Sequence, residues 1–148
     1  MARTETVILT NMCLLCDAQG RILVENRIDE HWGGIALPGG HVEPGEPFVA
    51  SMVREMQEET GLTVEHPKLC GVCQFTHYQG YRYIVLLFCA DRFSGELHSS
   101  EEGEVFWLDR RDIGQYKTVP DFERILDAME NNDVSEFFYD TDFNIQLL

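Results

Sequence analysis

An α+β fold in one domain is what this sequence predicts, on three observations. Apolar β-prone runs are broken by turn residues, two stretches carry a helical apolar period, and a Gly/Pro-rich segment separates them. The 148 residues fit one domain spanning 1–148. A chain of that length buries roughly 70% of its unfolded surface, so no metal or disulfide is needed to fold it.

Residues 6–16 read as a first strand, and Asp17-Ala18-Gln19-Gly20 as a turn. Residues 21–25 read as a second strand pairing with the first in a hairpin. Gly33-Gly34, Pro38-Gly39-Gly40 and Pro44-Gly45 then punctuate a loop. Residues 48–60 follow as a helix with Val49, Met52, Val53 and Met56 on one stripe, stopped by Gly61. Runs 69–78 and 81–90 flank Gln79-Gly80 as a second hairpin. Ser94-Gly95 turns the chain, 99–104 is an acidic loop, and 105–108 is a short strand. The last helix covers 120–130, with Phe122, Ile125, Leu126 and Met129 on one face and Pro120 in its first turn; a strand begins near Phe137.

Charge narrows the partners. With 26 acidic against 11 basic residues the net charge is −15, which repels duplex DNA or RNA. No apolar run approaches the roughly 18 residues of a membrane span, and the N-terminus lacks a signal-peptide pattern. Five cysteines, an odd number, argue for a reducing cytoplasm. Cys13/Cys16 and Cys70/Cys73 have C-x-x-C spacing. The 53 residues between the pairs are too many for an ordinary zinc site, so buried free thiols, with Cys89, are expected.

Glu55, Glu58 and Glu59 stand at i, i+3 and i+4 of the first helix, so their carboxylates share one face beside the apolar stripe. Such clustered oxygens suit Mg²⁺. On its own, the stripe reads equally as a solvated acidic face with Arg54 as counter-charge.

The flanking residues change that balance. The sequence Gly40-x5-Glu46-x7-Arg54-Glu55-Met56-Gln57-Glu58-Glu59-Thr60-Gly61-Leu62 matches the Nudix hydrolase signature G-x5-E-x7-R-E-U-x-E-E-x-G-U, nine constrained positions over 23 residues. Leu37-Pro38-Gly39-Gly40, the paired hairpins and Gly-Glu-Val-Phe-Trp-Leu at 103–108 extend the similarity, so the chain resembles small MutT-type Nudix proteins. The resemblance implies an α/β/α sandwich around a central mixed β-sheet, with the Nudix box at 40–62 as a loop–helix–loop. It implies Mg²⁺ or Mn²⁺ and hydrolysis of a nucleoside diphosphate linked to another group. It makes Glu55, Glu58 and Glu59 metal ligands, with the Gly40 or Gly39 carbonyl, and Glu55 or Glu58 the base. Arg54 would orient the glutamates, Glu46 brace the loop by hydrogen bonds or sit in the outer metal shell, and Gly61 close the box. Gly39, Gly40 and Gly45 are expected to supply φ > 0 and close backbone approach.

Outside the box, the family brings a further acidic group to the metals, and spacing to Trp107 selects Glu102, as a ligand or as a catalytic residue helping to activate water; a polar turn is the alternative. Arg27 resembles an arginine kept for phosphate, or is a surface residue. Arg82 matches an arginine near substrate, or protects a strand end. Asp121 lies where oxidised-purine hydrolases read the base edge, or stabilises a helix N-terminus. Some relatives have two aspartates there, whereas this chain has Asp121-Phe122. Trp32 is a candidate pocket wall and Trp107 a core residue. The histidines at 31, 41, 66, 77 and 98 lack metal-ligand spacing, and His41 is of interest for following Gly40.

The leading expectation is Mg²⁺-dependent hydrolysis of a nucleoside triphosphate to monophosphate and pyrophosphate, with 8-oxo-dGTP, and so nucleotide-pool sanitation, as the best single substrate. A nucleotide sugar, ADP-ribose or a dinucleoside polyphosphate is the alternative. A catalytically silent nucleotide-binding regulator is disfavoured because Glu46, Glu55, Glu58 and Glu59 are all retained. The expected partner is a small nucleotide, with no nucleic-acid polymer and no membrane. Exposed strands and the Phe-rich tail are compatible with a homodimer.

Overall fold

The computed structural model describes residues 2–76 and 79–148; Met1, His77 and Tyr78, the last two closing the expected strand 69–78, lie outside the described residues. A six-stranded mixed sheet runs in the order β11 (Ile145–Leu147), β10 (Glu136–Tyr139), β6 (Lys68–Thr76), β7 (Arg82–Ala90), β1 (Val7–Leu15), β4 (Gly39–His41). A three-stranded sheet places β2 (Ile22–Arg27) between β3 (Gly34–Ala36) and β9 (Gly103–Leu108), and β5 (Leu62–Glu65) pairs with β8 (Arg92–Gly95). The helices are α1 (Phe48–Thr60) and α2 (Phe122–Glu130), with a 3₁₀ turn at Arg110–Gln115.

The layers follow from period-two alternation. Along β7, Leu86 and Phe88 pack with Met52 and Met56 of α1, while Val85 and Leu87 pack with Phe122, Leu126 and Met129 of α2. The sheet is therefore covered on both faces. This is the expected α+β sandwich, and the β1–β7 and β6–β10 pairs are parallel among antiparallel neighbours.

The first expected hairpin does not form. Its turn closes, with Asp17 N–H donating to the Arg21 carbonyl at 3.0 Å and a single bridge at Cys16 and Ile22. Beyond that point β7 occupies one edge of β1 from Val7 to Leu15, and β4 takes part of the other. β2 leaves instead to pair with β9 and β3. The second hairpin forms as expected, β6 against β7, with a bulge between Leu69 and Gly71.

Strands β5 and β8 had no sequence counterpart. Four residues are too few to show a period, and Ser94-Gly95, expected as a turn, ends β8. Helix α1 has the expected limits. Met52 and Met56 are wholly buried, but Val49 is 47% exposed, and buried Ser51 shares the inner face. Gly61 stops the helix in the left-handed region, φ 78°, with its N–H bonded to the Gln57 carbonyl. Helix α2 begins at Phe122 rather than 120.

The Phe-rich tail serves the fold itself: Phe137 is fully buried and joins the α2-side core. Among the described residues no helix is long and apolar enough to cross a membrane. Replacing Phe137 by Ala removes a core ring, and we expect a loss of about 3–5 kcal/mol. Urea denaturation would show this as a lower midpoint at unchanged slope.

Candidate active site

One guanidinium organises the entry to α1. Arg54 Nε and Nη2 donate to Glu46 Oε2 and Oε1 at 2.8 and 3.0 Å, a two-point clamp across the loop. Nη2 also reaches the His41 carbonyl at 3.0 Å. Nη1 donates to Glu55 at 2.9 Å and meets Glu58 at 3.4 Å. The bond from Arg54 holds the Glu46 carboxyl below its usual range, and Glu46 then Glu55 push the Arg54 guanidinium up. Glu46 Oε1 also accepts from the Glu43 N–H.

The strand above this loop comes very close. A Cβ on Gly39 would stand 2.1 Å from the Asn11 carbonyl, and one on Gly40 would stand 2.3 Å from the Glu55 carboxyl carbon. At 39 the clash is with backbone, so only glycine allows that approach; at 40 it is with the movable end of the Glu55 side chain. Contrary to expectation neither has φ > 0, whereas Gly45 does, at 78°. Buried Asn11 stitches the layers together, accepting from Gly40 N–H at 3.3 Å and donating to Ser51 Oγ at 2.9 Å.

The three glutamates of α1 do not act as one exposed stripe. The Glu58 side chain is 59% exposed and that of Glu55 13%, while Glu59 is buried at 3% and turns inward. There it accepts from Gly39 N–H at 3.1 Å. Carboxylate oxygens of Glu59, Glu25 and Glu102 all lie within 4.8 Å of one another. Of the three acidic residues in the 99–104 loop, Glu102 is the one brought here.

Glu25 was missed by the sequence reading, which took it as the end of a strand. Alternation along β2 puts it on the face of Leu23, toward α1, and only the β2–β9 pairing brings that face to Glu59. It is 3% exposed, and its Oε1 has no hydrogen-bond partner. Burial first, then Glu102, raises the Glu25 pKa, with Arg27 opposing. Burial followed by the neighbouring carboxylates pushes Glu59 up to about 10.

The remaining expected residues are dispersed. Arg27 is exposed at the end of β2 and lines a cleft of about 490 Å³, with Gly34, Tyr116 and Lys117 opposite the loop that follows it. Exposed Trp32 does not line that cleft. Arg82 donates to Glu5 and, at 2.9 Å, to Gln74, and so ties down a strand end. Asp121 occupies the N-cap position of α2 in the left-handed region, φ 59°, and its side chain makes no capping bond. Its Oδ2 accepts from the Tyr139 hydroxyl at 2.9 Å, beside the stacked Phe75 and Tyr83 rings and edge-on Tyr139. Trp107 packs on Phe93 in the α1-side core.

A family model described as "NUDIX domain" matches residues 8–129. The chain belongs to the Nudix family. Similar relatives include an uncharacterized Nudix hydrolase, YvcI, of Bacillus subtilis, 34% identical over 82% of this chain and 77% of that protein. A MutT-like protein of Streptomyces ambofaciens is 36% identical over 75% and 70% of the two chains, respectively. An ADP-ribose pyrophosphatase of Methanocaldococcus jannaschii is 32% identical over 71% and 62%. In fold, the chain is similar to the MutT Nudix hydrolase of Burkholderia pseudomallei, with TM-score 0.71, 25% identity and coverage of 83% and 98%. The MutT protein of Bacillus halodurans superposes with TM-score 0.75 at 24% identity, covering 95% and 97%.

A Nudix hydrolase acts on pyrophosphate bonds of nucleotide-type substrates and generally requires a divalent metal. The donor set of this Nudix chain fits such an ion: it is all oxygen, and the unpartnered Glu25 Oε1 is a buried acceptor of the kind a cation satisfies.

Metal-free protein is the place to see the cost of the cluster. Glu25 and Glu59 hold protons in the fold at a pH where the unfolded chain, with glutamate near about 4.3, has released them. That stabilisation is full below the unfolded pKa and is lost as pH rises through the folded one. We expect denaturation midpoints in EDTA to fall between about pH 5 and 9, and Glu25→Gln to flatten the slope. An identical slope in the variant would refute the linkage.

Proposed function

We propose that this Nudix chain hydrolyses a nucleoside triphosphate to monophosphate and pyrophosphate, with 8-oxo-dGTP the leading substrate. One observation carries the reading: Glu59 of the box converges with Glu25 and Glu102 beside the Gly39–Gly40 strand, and Arg27 and Lys117, with Asp29 and Glu30, line a cleft at the end of β2 in a chain of charge −15.

In this proposal Glu55, Glu58, Glu59 and Glu102, with the Gly40 carbonyl, hold Mg²⁺, for which Mn²⁺ can substitute, and Glu25 joins that set. The bound ion neutralises phosphate charge and lowers the pKa of water. Arg54 acts by position, fixing Glu55 and Glu58 through the bonds above. Either of these can take the proton of the attacking water. Arg27 steadies phosphate at the cleft. Arg82, occupied by Glu5 and Gln74, supports the strand end nearest the aromatic rings.

Asp121 reads the base. The Tyr139 hydroxyl fixes one of its oxygens, leaving acceptor capacity for a purine amide or amine. The stacked Phe75–Tyr83 pair offers an aromatic face on which a purine can lie. ADP-ribose is the second reading, favoured by the 32% identical pyrophosphatase.

A release screen with Mg²⁺ separates them. Pyrophosphate from 8-oxo-dGTP supports the first reading, AMP and ribose phosphate from ADP-ribose the second, and no turnover of any diphosphate compound refutes both. Glu55→Gln and Glu58→Gln are each expected to cut kcat, the variant lacking the base by about 10²-fold or more, with circular dichroism unchanged. Asp121→Ala is expected to raise KM for the oxidised purine about tenfold with little change in kcat, the loss of one hydrogen bond.

A further inference from the structure

A pair of thiols outside the Glu25–Glu59–Glu102 cluster stands closer than any packing need explains. Cys70 is the residue at the β6 bulge, between Leu69 and Gly71, and Cys89 lies near the end of β7. A bulge re-aims its side chain, and here Cys89 Sγ donates to Cys70 Sγ at 2.7 Å. That is about 0.7 Å more than a disulfide bond. The geometry points to Cys70 and Cys89 as a reversible cross-strand disulfide site, oxidised by a hydroperoxide.

The surroundings divide the roles. As a thiol, Cys70 directs its own hydrogen at the Leu87 carbonyl, 3.2 Å away; once deprotonated it accepts from Cys89. That bond lowers the Cys70 pKa, and it raises that of Cys89, which burial raises further. Cys70 is thus the nucleophile and Cys89 the resolving thiol. Both are half-buried, within reach of a small oxidant. Cys13 and Cys73 are buried, and burial pushes Cys73 up to about 12. The C-x-x-C spacing therefore misleads: the partner of Cys70 is across the hairpin, not three residues along. Among the described residues no three thiols gather closely enough to hold a metal.

The step balances. Cys70 thiolate attacks a peroxide oxygen, the O–O bond breaks, and the departing oxygen takes a proton to leave as water or alcohol. Cys70 becomes a sulfenic acid. Cys89 sulfur then attacks Cys70 sulfur, the S–S bond forms, the S–O bond breaks, and hydroxide takes the Cys89 proton to leave as water. Two electrons pass from the thiols to the peroxide.

The test is full-length protein treated with hydrogen peroxide, then alkylated and mapped by mass spectrometry. The expected result is a loss of two alkylatable thiols, a mass lower by about 2 Da, and one crosslink joining Cys70 to Cys89 that dithiothreitol reverses. Cys70→Ser and Cys89→Ser should each abolish it, while Cys13→Ser, Cys16→Ser and Cys73→Ser retain it. Should a serine variant fail to fold, the wild-type map alone decides. Five free thiols after treatment, a crosslink between other cysteines, or Cys70 driven to sulfinic acid with Cys89 free would overturn the assignment.

Discussion

Gathering carboxylates in a chain already at −15 is the constraint on which the rest of this structure depends. Unpaired like charges at helical spacing destabilise α1, and burying them costs far more. Two devices offset this. Arg54 spreads one guanidinium over Glu46, Glu55, Glu58 and the His41 carbonyl. Glu59 and Glu25 are turned away from it, and burial first, then neighbouring carboxylates, raises the pKa of each.

The sandwich exists around that compromise. α1 must lie close under β4 for Glu59 to reach the Gly39 N–H, and β4 lies so close to β1 that only glycine fits at 39. Asn11 locks this distance by bonding both Gly40 and Ser51. The three-stranded sheet then delivers Glu25 and Glu102 from the other side. The nucleotide-facing features in our proposal, Asp121 with Tyr139 and the Phe75–Tyr83 stack, belong to the α2 side.

Long periodic segments were legible in the sequence. The limits of α1, the β6–β7 hairpin and the Gly61 stop follow from local pattern and backbone chemistry. The short strands β5 and β8 were not: they have four residues each and stand only because they pair with one another. The β1–β2 turn was legible and its pairing was not, because edge competition by β7 and β4 is invisible locally.

By itself, the sequence determined the α+β class and the carboxylates spaced along α1, because helical period and turn chemistry are local properties. Tertiary structure alone decided that Glu59 points inward while Glu58 stays in solvent, that Glu25 completes a cluster with Glu102, and that Cys70 meets Cys89. These outcomes depend on which strand occupies which edge and on where a bulge falls. Both are settled by packing between segments distant in the chain, where no local spacing records them.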